Sequence, residues 1–162
     1  MPITFPVEEG QLPLYYNHKP TGRGDDYVDL TGQPLFPFGF GLSYTTFEYS
    51  NLRIEPAEMA TTATVTIHCS VRNSGAVGGD EVVQLYVRDV LASVARPVIE
   101  LKGFRRVHLE PGEQRELTFQ LGPDDLRMLD ANMKWIVEAG VFRVLVGSSS
   151  KDIRLRGELL IR

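Results

Sequence analysis

Val65-Thr66-Ile67-His68-Cys69-Ser70-Val71 alternates apolar and polar side chains without a break. A strand sends successive side chains to opposite faces, so Val65, Ile67, Cys69 and Val71 share a buried face and His68 points outward. The same beat returns downstream. Val83, Leu85 and Val87 alternate with Gln84, Tyr86 and Arg88, and Leu117, Phe119 and Leu121 alternate with Glu116, Thr118 and Gln120. Asn73-Ser74-Gly75, Gly78-Gly79 and Glu110-Pro111-Gly112-Glu113 supply the turns between them. Val98–Val107 reads as a looser strand pair, and Lys134–Val137, Val141–Val146 and Ile153–Ile161 complete the set. Pro123–Leu129 is the one helical turn, with proline near its start and Asp124 and Asp125 facing the N-terminal dipole. Short strands with turns between them, and no βαβ spacing, argue for an all-β, antiparallel sandwich and against a parallel sheet.

The first part of the chain has a different character. Residues 1–49 hold six of the ten prolines and ten of the fifteen aromatics. Prolines at 2, 6, 13, 20, 34 and 37 recur too closely for a helix, because each removes a donor and restricts the residue before it. Only Leu12–Tyr16 reads as a short strand, and Asn17–Asp25 is a run of turn formers. Phe36-Pro37-Phe38-Gly39-Phe40-Gly41-Leu42 is apolar yet irregular. Leaving it in water costs about 25 cal/mol per Å² of apolar area, so it is expected to pack on something. The division that follows is an extended, aromatic and proline-rich N-terminal arm over 1–46 and a sandwich over 47–162.

Composition limits the functions that fit. The chain has 162 residues, 43% of them hydrophobic and 23% charged, which is enough for one domain with a sound core and excludes disorder and low-complexity scaffolds. A net charge of −4, with no strongly basic stretch, offers nothing to nucleic acid or an anionic membrane. Apolar runs such as Val141–Gly147 are too short to span a bilayer, and the first residues have neither the basic nor the apolar region of a signal peptide. A single cysteine excludes an internal disulfide and a cysteine-ligated metal cage.

Few residues invite chemistry. The acid pairs Asp25/Asp26, Glu110/Glu113 and Asp124/Asp125 all sit in turns or at a helix start, where capping and solubility explain them. His18, His68 and His108 have no ligand-like spacing. Cys69, in the inward phase, reads as a small buried hydrophobe, and Ser148–Ser150 lack a nucleophile elbow and read as a loop. Arg23-Gly24-Asp25 spells an integrin-binding tripeptide, but it lies in the arm and not in a hairpin between late strands. The aromatics are the remaining candidates. Tyr15, Tyr16, Tyr27 and Trp135, with Arg23, form the candidate set for contacting a sugar or a neighbouring domain, although Met133 and Val137 share the phase of Trp135 and place it in the core.

Longer blocks resemble a known family. Pro2-Ile3-Thr4-Phe5-Pro6, Gln11-Leu12-Pro13-Leu14-Tyr15-Tyr16-Asn17 and Pro20-Thr21-Gly22-Arg23 resemble the end of the α/β-sandwich domain in glycoside hydrolase family 3, which includes β-glucosidases and β-xylosidases. Pro34–Phe47 is similar to the segment leading into that family's last domain. Glu81–Val87, Leu101–Phe104 and Val144–Ser150 resemble the last domain itself, a fibronectin type III-like (immunoglobulin-like) sandwich.

The resemblance implies an accessory role. In the family, the nucleophilic aspartate and the acid/base glutamate lie upstream of the matching region, and a retaining mechanism needs both about 5 Å apart. No position here matches either, so the resemblance implies no catalytic residue, no metal and no cofactor in this chain. It implies instead a module that stabilises the preceding catalytic domains. The alternative is a carbohydrate-binding module that holds oligosaccharide near the active site, and a free-standing interaction module is the third reading. Without the sheet it would join, Met1–Tyr16 is expected to be disordered, rearranged or paired with a second copy through its strand edges, which would make a dimer through the arm.

Overall fold

The computed structural model describes residues 1–20 and 31–162. Among the described residues ten strands follow one another: β1 (Phe47–Glu55), β2 (Glu58–Met59), β3 (Val65–Asn73), β4 (Gly79–Asp89), β5 (Glu100–Leu109), β6 (Gln114–Leu121), β7 (Met128–Leu129), β8 (Trp135–Ile136), β9 (Gly140–Gly147) and β10 (Ile153–Ile161). A single turn of helix, α1 (Pro123–Leu126), lies between β6 and β7. One sheet has the order β1-β3-β6, a second the order β2-β10-β9-β4-β5, and β7 and β8 form a small ribbon. All pairings are antiparallel except that of the short β2 with β10. This is an antiparallel β-sandwich.

The alternation in β3 carries directly into the core. Val65, Ile67, Cys69 and Val71 are fully buried, and they face Val83, Leu85, Phe142, Val144, Val146 and Leu159 of the opposing sheet. The two sheets approach closely where β1 lies over β10. A Cβ on Gly157 would come within 2.7 Å of Ile54 Cδ1, so any larger residue there would have to push that side chain aside. Val98–Val107 is one strand and not a pair, because β5 runs unbroken beside β4 from Glu100 to Leu109 apart from one register shift.

β4 departs from the expected alternation. Gln84 and Tyr86, on its outward phase, are as buried as Val83, Leu85 and Val87. Something covers the outer face of the larger sheet at this point, and it is the arm.

The arm folds back on itself before it reaches the sheet. Phe5 and Phe36 form an antiparallel bridge, with the Phe5 amide donating to the Phe36 carbonyl at 2.9 Å and the Leu35 amide donating to the Phe5 carbonyl at 2.9 Å. Leu12–Tyr16 is not a strand. A short 3₁₀ turn, Glu9–Gln11, precedes it, and proline at 13 removes a ladder donor. The buried Gln11 side chain replaces ladder bonds: its Oε1 accepts from the Val7 amide at 2.5 Å, and its Nε2 donates to the carbonyls of Thr31 at 2.7 Å and Gln33 at 3.1 Å. The first segment, expected to be disordered, rearranged or paired with a second copy, finds a partner within the chain in residues 31–36.

Candidate functional site

Three features outside the core concentrate polar and aromatic groups. The first is the arm–sheet contact. The Tyr16 ring stacks on Phe38 at 4.2 Å and meets Tyr86 edge-on at 6.0 Å, while its hydroxyl accepts the Leu101 amide at 3.3 Å. Gln84 links the layers. Its Nε2 donates to the carbonyls of Gly39 and Ser148, at 3.1 Å and 2.5 Å, and its Oε1 accepts the Tyr86 hydroxyl at 2.6 Å. The Ser150 amide donates to the Phe38 carbonyl at 2.9 Å, and the Val98 amide to that of His18 at 2.9 Å. Every buried polar group of this contact that Gln84 and Tyr86 present is therefore satisfied. Gly39 has φ +85°, a left-handed conformation that suits glycine, and a Cβ there would collide with the Gln84 amide.

Asn73 does the same for the segment that follows. It is fully buried, its Nδ2 donates to the carbonyls of Val77 and Leu109, and its Oδ1 accepts from the Thr45 hydroxyl at 2.6 Å and the Gly75 amide at 3.0 Å. Neither Gln84, Gln11 nor Asn73 stood out in the sequence, because their types are usually exposed and their partners are distant along the chain.

The second feature is a groove of about 570 Å³ between residues 38–46 of the arm and a part of the larger sheet and its loops that includes Asp80–Val82, Gln84, Asp152 and Arg154. Arg154 binds both carboxylate oxygens of Asp152, at 2.6 Å and 2.7 Å, and Ser148 Oγ donates to the same group at 2.7 Å. The guanidinium of Arg154 holds the Asp152 carboxyl below its ordinary pKa. Burial pushes Glu81 and Tyr49 upward, whereas Arg106 holds the Asp80 carboxyl below its ordinary pKa as Arg154 does Asp152.

The third feature is a cleft of about 350 Å³ at the β7–β8 ribbon, where Trp135 is exposed. This corrects the expectation that Trp135 belongs to the core. β8 is only two residues long, and Met133 lies in the preceding turn with φ +60°, so the alternation that suggested burial does not extend that far. The Arg127 guanidinium sits 4.8 Å from the centre of the Trp135 ring.

Several of the other described candidates have structural partners. Tyr15 is exposed and Tyr16 is engaged in the arm stack, and neither lines the Trp135 cleft. Arg23 and Tyr27 lie outside the described residues, as do Asp25/Asp26 and the Arg-Gly-Asp tripeptide. Glu113 caps the 110–113 turn by accepting the Glu110 amide at 2.9 Å, and Asp125 accepts the Gly122 amide at 2.8 Å. His68 is partly buried beside Glu55 and Glu116, and burial pushes the Cys69 thiol up to about 11. Among the described residues no group of three His, Cys, Asp or Glu side chains could hold a metal ion, and no helix is long and apolar enough to cross a membrane.

Comparison with known proteins gives this architecture a class. Residues 81–150 match the fibronectin type III-like domain family. The chain therefore carries a fibronectin type III-like sandwich. Over nearly its whole length it is also similar to a segment of much larger glycosidases. It is 47% identical to a β-xylosidase of Formosa agariphila, over 92% of this chain and 21% of that protein. It is 38% identical to a periplasmic β-glucosidase of Salmonella typhimurium, over 95% of this chain and 21% of that one. The structure of a β-glucosidase from Erythrobacter marinus superposes with a TM-score of 0.92 at 43% identity, over 98% of this chain and 21% of the other. The chain spans about a fifth of the length of these relatives. It is the counterpart of their fibronectin type III-like part, as its resemblance to the C-terminal region of glycoside hydrolase family 3 implied.

Proposed function

We propose that this chain is the non-catalytic accessory module of a glycoside hydrolase family 3 enzyme of the β-glucosidase type, and that it stabilises the catalytic domains that precede it. The parent reaction would be retaining hydrolysis of terminal β-linked glucosyl or related residues, carried out by carboxylates outside this chain. One observation carries the proposal. The arm is held to the sandwich through Tyr16, Phe38 and Gly39, yet Ile3, Phe5, Val7, Leu12, Leu35 and Phe36 stay exposed along it. A folded arm that keeps a row of large apolar side chains in water is suited to docking, since such patches mark interaction surfaces. The similarity to the glycosidases spans 92% or more of the chain, so the arm and the sandwich occur together in them.

A turnover assay tests the non-catalytic half of the proposal. The purified chain should not hydrolyse aryl β-glucosides or β-xylosides above the buffer rate. Turnover that stays with the chain through purification, and is lost on replacing one of its own carboxylates, would overturn it.

A further inference from the structure

We infer that the cleft at the β7–β8 ribbon is a binding site for one or two β-linked pyranose units, with Trp135 as its stacking platform. None of the exposed apolar residues of the arm lines this cleft.

The platform is presented by design of the local backbone. Asp130 Oδ1 accepts the amides of Asn132 at 2.8 Å and Lys134 at 2.9 Å, and the Asp130 amide donates back to the Lys134 carbonyl at 3.0 Å. This closes the turn between the two strands. Trp135 then stands opposite Leu129 across the ribbon, and both line the cleft. Arg127, itself tied to Asp124 at 3.0 Å, stacks on the indole and fixes its plane. The result is a large aromatic side chain 60% exposed on a well-braced turn.

The lining chooses the ligand class. Beside the indole and Leu129 stand three donors, Arg127, Lys19 and Arg96, and one acceptor, Glu100, whose two oxygens also pair with Arg96 at 2.8 Å and Lys102 at 3.3 Å. A pyranose has an apolar face of C–H groups that stacks on an aromatic ring and a rim of hydroxyls that both donate and accept. An exposed indole beside charged and polar groups is complementary to that shape. The volume, about 350 Å³, lies at the low end of small-ligand clefts, which run from roughly 300 to 1,000 Å³, so the site suits a short segment of sugar.

Trp135 is the single tryptophan of the chain, so its emission reports the site directly in the unmodified protein. Titration with cellotetraose and with xylotetraose should shift or quench that emission saturably, with a Kd between about 10 μM and a few mM for at least one of them. Calorimetry on Trp135→Ala should show affinity lower by about tenfold or more, while Trp135→Phe keeps most of it and Tyr15→Ala leaves it unchanged. No saturable change with either sugar up to its solubility limit would overturn the inference. So would calorimetric binding that is equal in Trp135→Ala and the unmodified chain.

Discussion

Gln84 is the residue on which the arm–sheet contact turns. Its amide joins an arm carbonyl, a loop carbonyl and a buried tyrosine hydroxyl, and nothing apolar can replace those bonds. Gln84→Leu should therefore cost about 1–3 kcal/mol, the usual penalty for leaving buried polar groups without partners. At this chain length that is a fall in Tm of roughly 2–12 °C, readable by calorimetry. A Tm within a degree of the parent value would show that the contact contributes little.

Glu81 makes a prediction about pH. Burial raises its folded-state pKa above the unfolded value of about 4.3. The folded state therefore favours the protonated form, and the charged form costs stability at pH values above both pKa values. That cost shrinks as pH falls through the folded pKa and is gone below the unfolded one. Glu81→Gln should raise Tm at pH 7, and the gain should fade toward pH 4. A gain that is the same at both pH values would contradict the burial account.

β4 shows how local patterning and distant partners divide the work of specifying an element. Its inward set, Val83, Leu85 and Val87, follows from period-two alternation alone, as does the inward set of β3. The burial of Gln84 and Tyr86 does not, because it depends on an arm more than forty residues away by hydrogen bond to Gly39. Polar types at alternating positions read as a solvent face unless something is known to cover them. Trp135 is the opposite case: alternation placed it inside, but a strand of two residues is too short to carry a phase. The apolar run 36–42 predicts packing, and Phe38 finds it in the stack with Tyr16 over Tyr86. Tyr16→Ala should then cost about 2–3 kcal/mol, less than the 3–5 of a fully buried aromatic because Tyr16 is only partly enclosed. Denaturant unfolding would measure it, and protection of the Leu101 amide, which donates to the Tyr16 hydroxyl, should fall in parallel.

The whole molecule has an inside that is complete and an outside that is not. The sandwich core is continuous and the arm is tied down on one side, but Phe5 and Phe36 meet in a T-shaped pair at 6.3 Å with both rings still exposed. In the accessory-module account those rings are covered by the preceding domains. A second copy of the chain is the competing cover, and it would appear as dimerisation that the same substitutions abolish.

The most direct measurement compares Phe5→Asp/Phe36→Asp in two settings, the isolated chain and the full-length enzyme that carries it. The account predicts that the isolated chain is monomeric and that its Tm falls less than the enzyme's, because there the two rings are already 42% and 36% exposed. The enzyme should lose several degrees and much of its glycosidase activity, because charges would enter a buried contact. An enzyme whose Tm and activity match the unsubstituted form would contradict the docking role of the arm, and with it the claim that this module stabilises its catalytic partners.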